Sequence, residues 1–536
     1  MFHAITAEPE QPRALDLFDR VVVLYLVLPL VIFVLGWLEL WAAVPLVLCV
    51  VYALRPLVAL TGAQRRESRE APRARRGTTD SSRLPVSRMQ VTIACVVGCA
   101  WAVFGGTGHF VFANADWYIR DAVLHDLIVS PWPVGYGVVH GHEIILRAPL
   151  GYYMPAALVG KALGLWPGHL AMALWTAIGA TLFLLQVLSL TPARKGAALT
   201  VAAVIVFFSG FDIIGSIISN PRFLDYWNIA QHLEWWAGLY QYSSMATQLF
   251  WVPNHALAAW LTIGLLCRVS RGPLLDAMLP MIVVAAALWS PLSALGLMPF
   301  VLLHLLRGVT RERMLSLLHP RVWGPAVVVG LVVSSYLVLD SSRMPFRSTW
   351  SGPQADAMDI AVDVTRQLQF FLLEAGLIGF VVLALRWSWE VVLALGVLLV
   401  LPGFYFGPGN DLVMRASIPS LAVLAIGVCL ALNRESTRAV DSRKKLALVG
   451  MLAVGAVTPL QEFARAIVLP AWPIDMHSTL IVAACGQYPA HYTARLDGQF
   501  LGRLLRPPHR LELGPQRAFH ECLNPATDLM LSRKIM

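Results

Sequence analysis

The chain has 536 residues, 57% of them hydrophobic and only 14% charged, with a mean hydropathy of +0.65 and a formal net charge of +9. Water cannot solvate such a composition, which excludes a soluble globular or disordered protein. The fold class expected is all-α and polytopic in a membrane, because a helix satisfies its own backbone in lipid and the alternating ten-residue strands of a barrel are missing.

In chain order, apolar segments fall at 21–38, 41–61, 89–111, 169–190, 197–211, 254–267, 273–289, 292–306, 322–339, 368–385, 391–405, 416–432 and 446–460. That makes about thirteen expected transmembrane helices, at roughly 20 apolar residues per crossing. The linkers at 64–83, 192–195, 307–313 and 433–445 carry an arginine or lysine excess and fall on one side, which the positive-inside rule makes cytoplasmic. The net positive charge therefore belongs to membrane-facing linkers, and no nucleic-acid partner is expected. The 64–83 linker is rich in Arg, Ser and Pro and is expected to be disordered. The N-terminus shows no cleavable signal peptide. The seven cysteines lie mostly in apolar runs and form no CxxC pair, with Cys485 and Cys522 in the last polar segment.

Three regions follow: an N-terminal two-helix hairpin with its basic linker (1–88), a transmembrane core (89–460) and an extracytoplasmic tail (461–536). The core carries large outward loops at 112–168, 212–253, 340–367 and 406–415. Of the 14 histidines, about eleven map to the outward side. An aromatic belt explains tryptophans there, but it explains histidines and carboxylates less well.

The first outward loop contains "NADWYIRDAVLHDLIV", in which Ile119, Val123, Leu124, Leu127 and Ile128 share one helical face and Arg120, Asp121, His125 and Asp126 another. This pattern suggests a helix lying in the membrane interface. Asp116 stands where either an N-cap or a general base would be, followed by Trp117. Arg147 and the Tyr152–Tyr153 pair follow, in a stretch expected to form a half-buried helix. "HGHE" at 140–143 reads as a polar loop because its ligands are too close together to define a metal site.

The second loop crowds Arg222, His232, Glu234, Trp235, Tyr242, Trp251, Asn254 and His255 together, a mixture of aromatic faces and hydrogen-bonding groups that suits a sugar. In the fourth, Asn410, Asp411 and Arg415 open a span, where an arginine beside free helix N–H groups can hold a phosphate. Walker, GxSxG and HExxH signatures are missing, so ATP hydrolysis and serine-esterase chemistry have no support.

The stretches "NADWYIRDAVLHDLI", "GYYMPAALVGK", "EWWAGLYQYSS", "LFWVPNHA" and "NDLVMRASIP" together resemble the GT-C superfamily of integral-membrane glycosyltransferases, specifically its multi-spanning bacterial members. The resemblance covers most of 110–420. It implies transfer of a hexosyl or pentosyl group from a polyprenyl-phosphate sugar donor to a glycan, lipid or protein acceptor of the cell envelope. It also implies a site facing the periplasm from the inner (cytoplasmic) membrane, with membrane lipids as surroundings.

Asp116 is then the candidate base, with Asp121 or Glu234 as second choice. Arg415, His255 or Arg222 would hold the phosphate. Trp117, Arg147, Tyr152, His232, Trp235, Tyr242, Trp251, Asn254 and Asn410 are candidate substrate contacts. A single-step displacement would invert the anomeric centre. Two spans precede the loop that normally follows the first, and no second acid adjoins Asp116. The missing acid leaves a divalent cation, Mg2+ or Mn2+, open. The alternatives are a transporter or flippase, which the apparent clustering of charge outside the spans disfavours, and an O-antigen-ligase-like or polymerase enzyme with a diphosphate donor.

Overall fold

The computed structural model describes residues 15–70, 86–192, 196–269, 273–349, 357–407, 409–435, 438–496 and 500–511. The chain begins with α1 (Leu17–Trp37), α2 (Leu40–Glu70) and α3 (Arg88–Phe104), then enters the first outward loop with α4 (Asp116–Val129). There follow α5 (Met154–Leu163), α6 (Leu165–Leu190), α7 (Ala197–Phe207), α8 (Asp212–Ser219), the short α9 (Phe223–Tyr226) and α10 (Met245–Trp251). The middle of the bundle is α11 (Pro253–Arg268), α12 (Pro273–Trp289), α13 (Pro291–Leu306), α14 (Arg311–Leu317) and α15 (Pro320–Leu337). The remainder is α16 (Ala357–Phe371), α17 (Leu377–Leu385), α18 (Trp389–Val400), α19 (Asp411–Ala416), α20 (Ile418–Asn433), α21 (Ala439–Gly455), α22 (Val457–Val468) and α23 (Leu480–Ala483).

Eight helices among the described residues are long and apolar enough to cross a membrane, and the chain is a helical multi-pass membrane protein. Their outer surfaces carry exposed leucine and valine, such as Leu24, Leu48, Leu174 and Leu331, which lipid would cover. The expected spans 89–111, 273–289, 292–306 and 391–405 correspond to apolar helices of 17 residues or fewer. The expected span 254–267 is α11, whose residues are buried almost all round because it packs between α6, α13 and α20.

A buried ionic knot ties the start of the bundle to this central helix. Asp16 and Asp19 form a reciprocal capping box at the start of α1. Arg268, at the end of α11, donates to both, from Nη2 to Asp16 Oδ2 at 2.9 Å and from Nε to Asp19 Oδ1 at 2.8 Å.

Two small sheets depart from the all-α expectation, both at the end of the bundle that holds the loops 112–168 and 406–415. In the first, β1 (Val134–Val139) and β2 (His142–Leu146) pair antiparallel around His140–Gly141, both at positive φ as a two-residue hairpin turn requires. Strand β5 (Thr493–Arg495) pairs with β2, and β6 (His509–Arg510) runs parallel to β1, giving the order β5-β2-β1-β6. The C-terminal segment is thus woven into the first outward loop. In the second sheet β3 (Phe346–Ser348) joins β4 (Phe404–Phe406), linking the third loop to the fourth.

Three local expectations change. The linker expected to be disordered from 64 continues α2 to Glu70, since Gln, Arg and Glu are good helix formers, while 71–85 lie outside the described residues. The stretch 140–143, expected as a polar loop, is the hairpin turn and the start of β2, while the half-buried helix expected to lead to the next span is α5. Helix α4 does not lie in an interface: every residue from Trp117 to Ile128 except Ile119 is buried, because α5, α6 and α23 pack around it.

Removing one partner of a buried ion pair leaves the other charge uncompensated, at about 3–5 kcal/mol. Arg268→Met should therefore lower the thermal unfolding midpoint in detergent substantially. Adding Asp16→Asn and Asp19→Asn, which keep the caps while removing the stranded charges, should recover much of the loss.

Candidate functional site

Helix α4 starts without a side-chain cap of its own. Ala115 occupies the capping position, and the Asn114 side chain accepts from the Asp116 N–H at 3.1 Å while donating to the Phe250 carbonyl at 2.7 Å. The Asp116 carboxylate is therefore not used up in capping and stays 46% exposed. One turn on, Arg120 donates to it from Nη2 at 3.1 Å. The same guanidinium, 4% exposed, donates from Nη1 to Asn254 Oδ1 at 2.9 Å and from Nη2 to the Trp251 carbonyl, across the break between α10 and α11. Asn254 contacts His255, whose Nδ1 lies 2.7 Å from Ser290 Oγ at the start of α13.

Asn254 and His255 line a cavity of about 260 Å³ whose walls also include Arg147, Tyr153, Asp411, Arg415, His491 and Tyr492, with Leu292, Leu337, Val338 and Phe406 on its apolar side. Arg147 leaves the end of β2, where its N–H donates to the Tyr492 carbonyl at 2.7 Å and its guanidinium to the Ala490 carbonyl. Arg415 pairs with Asp411 at 2.9 Å within α19. The Nε atoms of Arg120, Arg147 and Arg415 are buried with no hydrogen-bond partner among the described residues. Arg147 likewise has no carboxylate at ion-pair distance among them, so in the cavity lining two guanidiniums face the single carboxylate of Asp411. Burial, with Arg415 beside it, holds the His491 imidazole below its ordinary value and hence neutral at pH 7. This is an anion-receptive pocket with spare donors.

The sequence-derived candidates divide among several places. Arg147, Asn254, His255 and Arg415 come together at this cavity, and Asp116 is linked to it through Arg120 and Asn254. Asp121 lies elsewhere in α4, buried, 2.7 Å from His109 Nε2 and 3.6 Å from His169 Nδ1. Glu234 is 1% exposed and its carboxylate accepts from the Ser244 N–H at 2.8 Å and Gln241 at 2.9 Å. His232 and Trp251 stand beside it, 4.9 Å apart and stacked. Trp117 is fully buried, donating to the Gly105 and Phe250 carbonyls, and the Tyr152 hydroxyl is 2.6 Å from Thr176. Tyr242 donates to the Leu398 carbonyl. Asn410, at φ 54°, bridges the Phe406 N–H and the Leu239 carbonyl and so holds a turn. Arg222 and Trp235 are exposed and do not line the cavity.

His491 and Tyr492, which sequence reasoning missed, come from the C-terminal segment; the alternating "HYTAR" that carries them was the available signal of a strand. Charge also does not stay outside the spans. Asp212 and Glu374 are buried within the candidate spans Ala197–Ser219 and Ile360–Leu385. Glu374 lies on a π-helical turn, Leu372–Gly376, so close to Gly210 that a Cβ there would meet its Oε2 at 2.1 Å.

Among the described residues, no group of three or more His, Cys, Asp or Glu is arranged to hold a metal ion. The one carboxylate lining the cavity, Asp411, and the neighbouring Asp116 are each already paired with arginine, and the other charged lining groups are cations, a donor set that does not fit a divalent cation. No protein-family model, curated protein or solved structure matches the chain.

An anion such as inorganic pyrophosphate should raise the unfolding midpoint of the wild-type protein by binding the folded state alone. Arg147→Ala together with Arg415→Ala should abolish that shift. The shift should grow as pH falls below the ordinary imidazole range of about 6.5, where His491 gains its proton late. Without the anion the sign reverses. A depressed folded-state value means that His491's contribution to stability is complete above about pH 6.5 and is lost as pH falls toward the folded value.

Proposed function

We propose that this protein is a membrane glycosyltransferase of GT-C type that moves a sugar from a polyprenyl-phosphate donor to an extracytoplasmic acceptor of the cell envelope. The observation that carries the reading is the convergence of Arg147 and Arg415, far apart in the chain, on one cavity beside the half-exposed carboxylate of Asp116. A phosphate on a lipid needs spare guanidinium donors next to an apolar wall, and the cavity has both. The concentration of Arg307, Arg313, Arg434, Lys444 and Lys445 in linkers between the spans supports an inner-membrane orientation with the cavity facing outward.

In the reaction proposed, an acceptor hydroxyl attacks the anomeric carbon as that carbon's bond to the phosphate oxygen breaks. The hydroxyl proton passes to Asp116, and the electron pair leaves on the phosphate, beside Arg147 and Arg415. One displacement inverts the anomeric centre. Arg120 donates to the Asp116 carboxylate and fixes its direction.

A second reading rests on the buried Asp212–Glu374 pair. Carboxyl groups within apolar helices, one of them on a π-helical turn, are what a proton-coupled transporter or flippase would use. The two readings separate in proteoliposomes supplied with a labelled polyprenyl-phosphate sugar. Asp116→Asn should lower transfer by about 10²–10⁴-fold while retaining donor binding. Glu374→Gln should leave transfer within a few-fold of wild type. Abolition of lipid or solute movement by Glu374→Gln, with no transfer in any variant, would establish transport instead.

A further inference from the structure

Arg120 directs the Asp116 carboxylate, and Arg120 in turn depends on the Trp251 carbonyl and Asn254, two acceptors at a break between helices. The break keeps backbone hydrogen bonds of its own, from the Val252 N–H to the Gln248 carbonyl and from the His255 and Ala256 N–H groups to the Val252 carbonyl, and the Trp251 side chain ties it to other elements. Trp251 ends α10, immediately before Val252 and the proline that opens α11. Its ring is gripped from three directions. The indole Nε1 donates to Glu462 Oε2 at 2.9 Å, and the Arg465 guanidinium sits 5.4 Å from the ring centroid. The His232 ring stacks on it at 4.9 Å with 22° between the planes.

His232 is itself placed between two carboxylates, its Nδ1 3.2 Å from Glu462 Oε1 and its Nε2 3.6 Å from Glu234 Oε2. Glu462 also receives Arg465 Nη1 at 2.9 Å. Gln241 is the remaining polar neighbour, with Nε2 3.5 Å from the His232 ring nitrogen and 2.9 Å from Glu234. The second outward loop and α22 are thus joined through one aromatic face.

We infer that His232, Glu462 and Trp251 are positioning residues for the Asp116–Arg120 pair: the His232–Glu462 ion pair clamps the Trp251 ring, and the Trp251 carbonyl holds the guanidinium that aims the proposed base. The inference rests on the glycosyltransferase reading for its role in the reaction. The mechanical coupling from His232 to Asp116 stands independently of that reading. The His232 clamp depends on protonation. Burial would lower its pKa, but the flanking carboxylates of Glu462, 3.2 Å away, and Glu234 outweigh burial, and Arg465, to hold it above the ordinary imidazole value. The clamp is therefore complete below that ordinary value and is lost as pH rises through the elevated one.

The test compares wild type, His232→Gln and Glu462→Gln in nanodiscs by two readouts. Hydrogen–deuterium exchange is followed in peptides covering 114–121 and 248–255, and transfer from a polyprenyl-phosphate sugar is followed against pH. Both variants should exchange faster in both peptides, with exchange in the remote α1 unchanged. In His232→Gln, kcat should fall by up to about 100-fold with KM nearly unchanged, as misplacement of a reacting group predicts. The alkaline limb of the wild-type pH profile should flatten. Trp251→Phe, which keeps a ring but loses the indole N–H, should give the same pattern if His232→Gln fails to fold. Unchanged exchange in 114–121 in a folded variant would overturn the coupling whatever the activity. Faster exchange in a protein that transfers no sugar, even as wild type, would uphold the coupling and remove the reaction assigned to it.

Discussion

A single buried guanidinium organises the end of this protein at which α4, α10 and α11 meet. Arg120 is 3% exposed and must satisfy its donors inside the protein, since an uncompensated buried cation is strongly destabilising. Its acceptors come from three elements: Asp116 within α4, the carbonyl that ends α10 and the Asn254 side chain that begins α11. No one of those elements provides enough acceptors alone. Their relative placement is accordingly tied to the arginine, and so is the direction of the Asp116 carboxylate.

Lipid imposes the second constraint. Irregular backbone survives at the edge of a membrane bundle only where protein or water satisfies its polar groups. Here the irregular segments satisfy one another. The hairpin of the first outward loop is flanked by strands from the C-terminal segment, and the third and fourth loops share a two-stranded sheet. Pairing of β5 with β2 sets Arg147, at the end of β2, against Tyr492, immediately before β5. The cavity wall thus arises from segments more than 300 positions apart in the chain.

The three aspartates of α4 show why a short motif says so little about roles. Asp116, Asp121 and Asp126 stand five residues apart, so successive ones point about 140° away from each other at 100° per residue. On a helix buried on all sides each meets a different neighbourhood. Asp116 meets Arg120. Asp121 meets His109 and His169. Asp126 accepts from the Tyr136 hydroxyl at 2.8 Å and the Leu480 N–H at 2.9 Å, tying α4 to β1 and α23. Sequence reading treated the polar residues of this helix as one face because it took the helix to be half in water. Burial from every direction removed that premise.

By itself the sequence determined the membrane-helical class and most helix locations, because composition and apolar run length act locally and do not depend on where other segments lie. It also marked Asp116, Arg147, Asn254, His255 and Arg415 as residues out of keeping with their apolar surroundings. Only the tertiary structure decided that the last four share a cavity to which Arg120 links Asp116, while Asp121 and Glu234 are enclosed in polar clusters of their own. It alone brought His491 and Tyr492 in from the C-terminal segment and placed Asp212 and Glu374 within apolar helices. The physical reason is that hydrogen bonding and charge pairing act over a few ångströms in space, and chain distance carries almost no information about that separation.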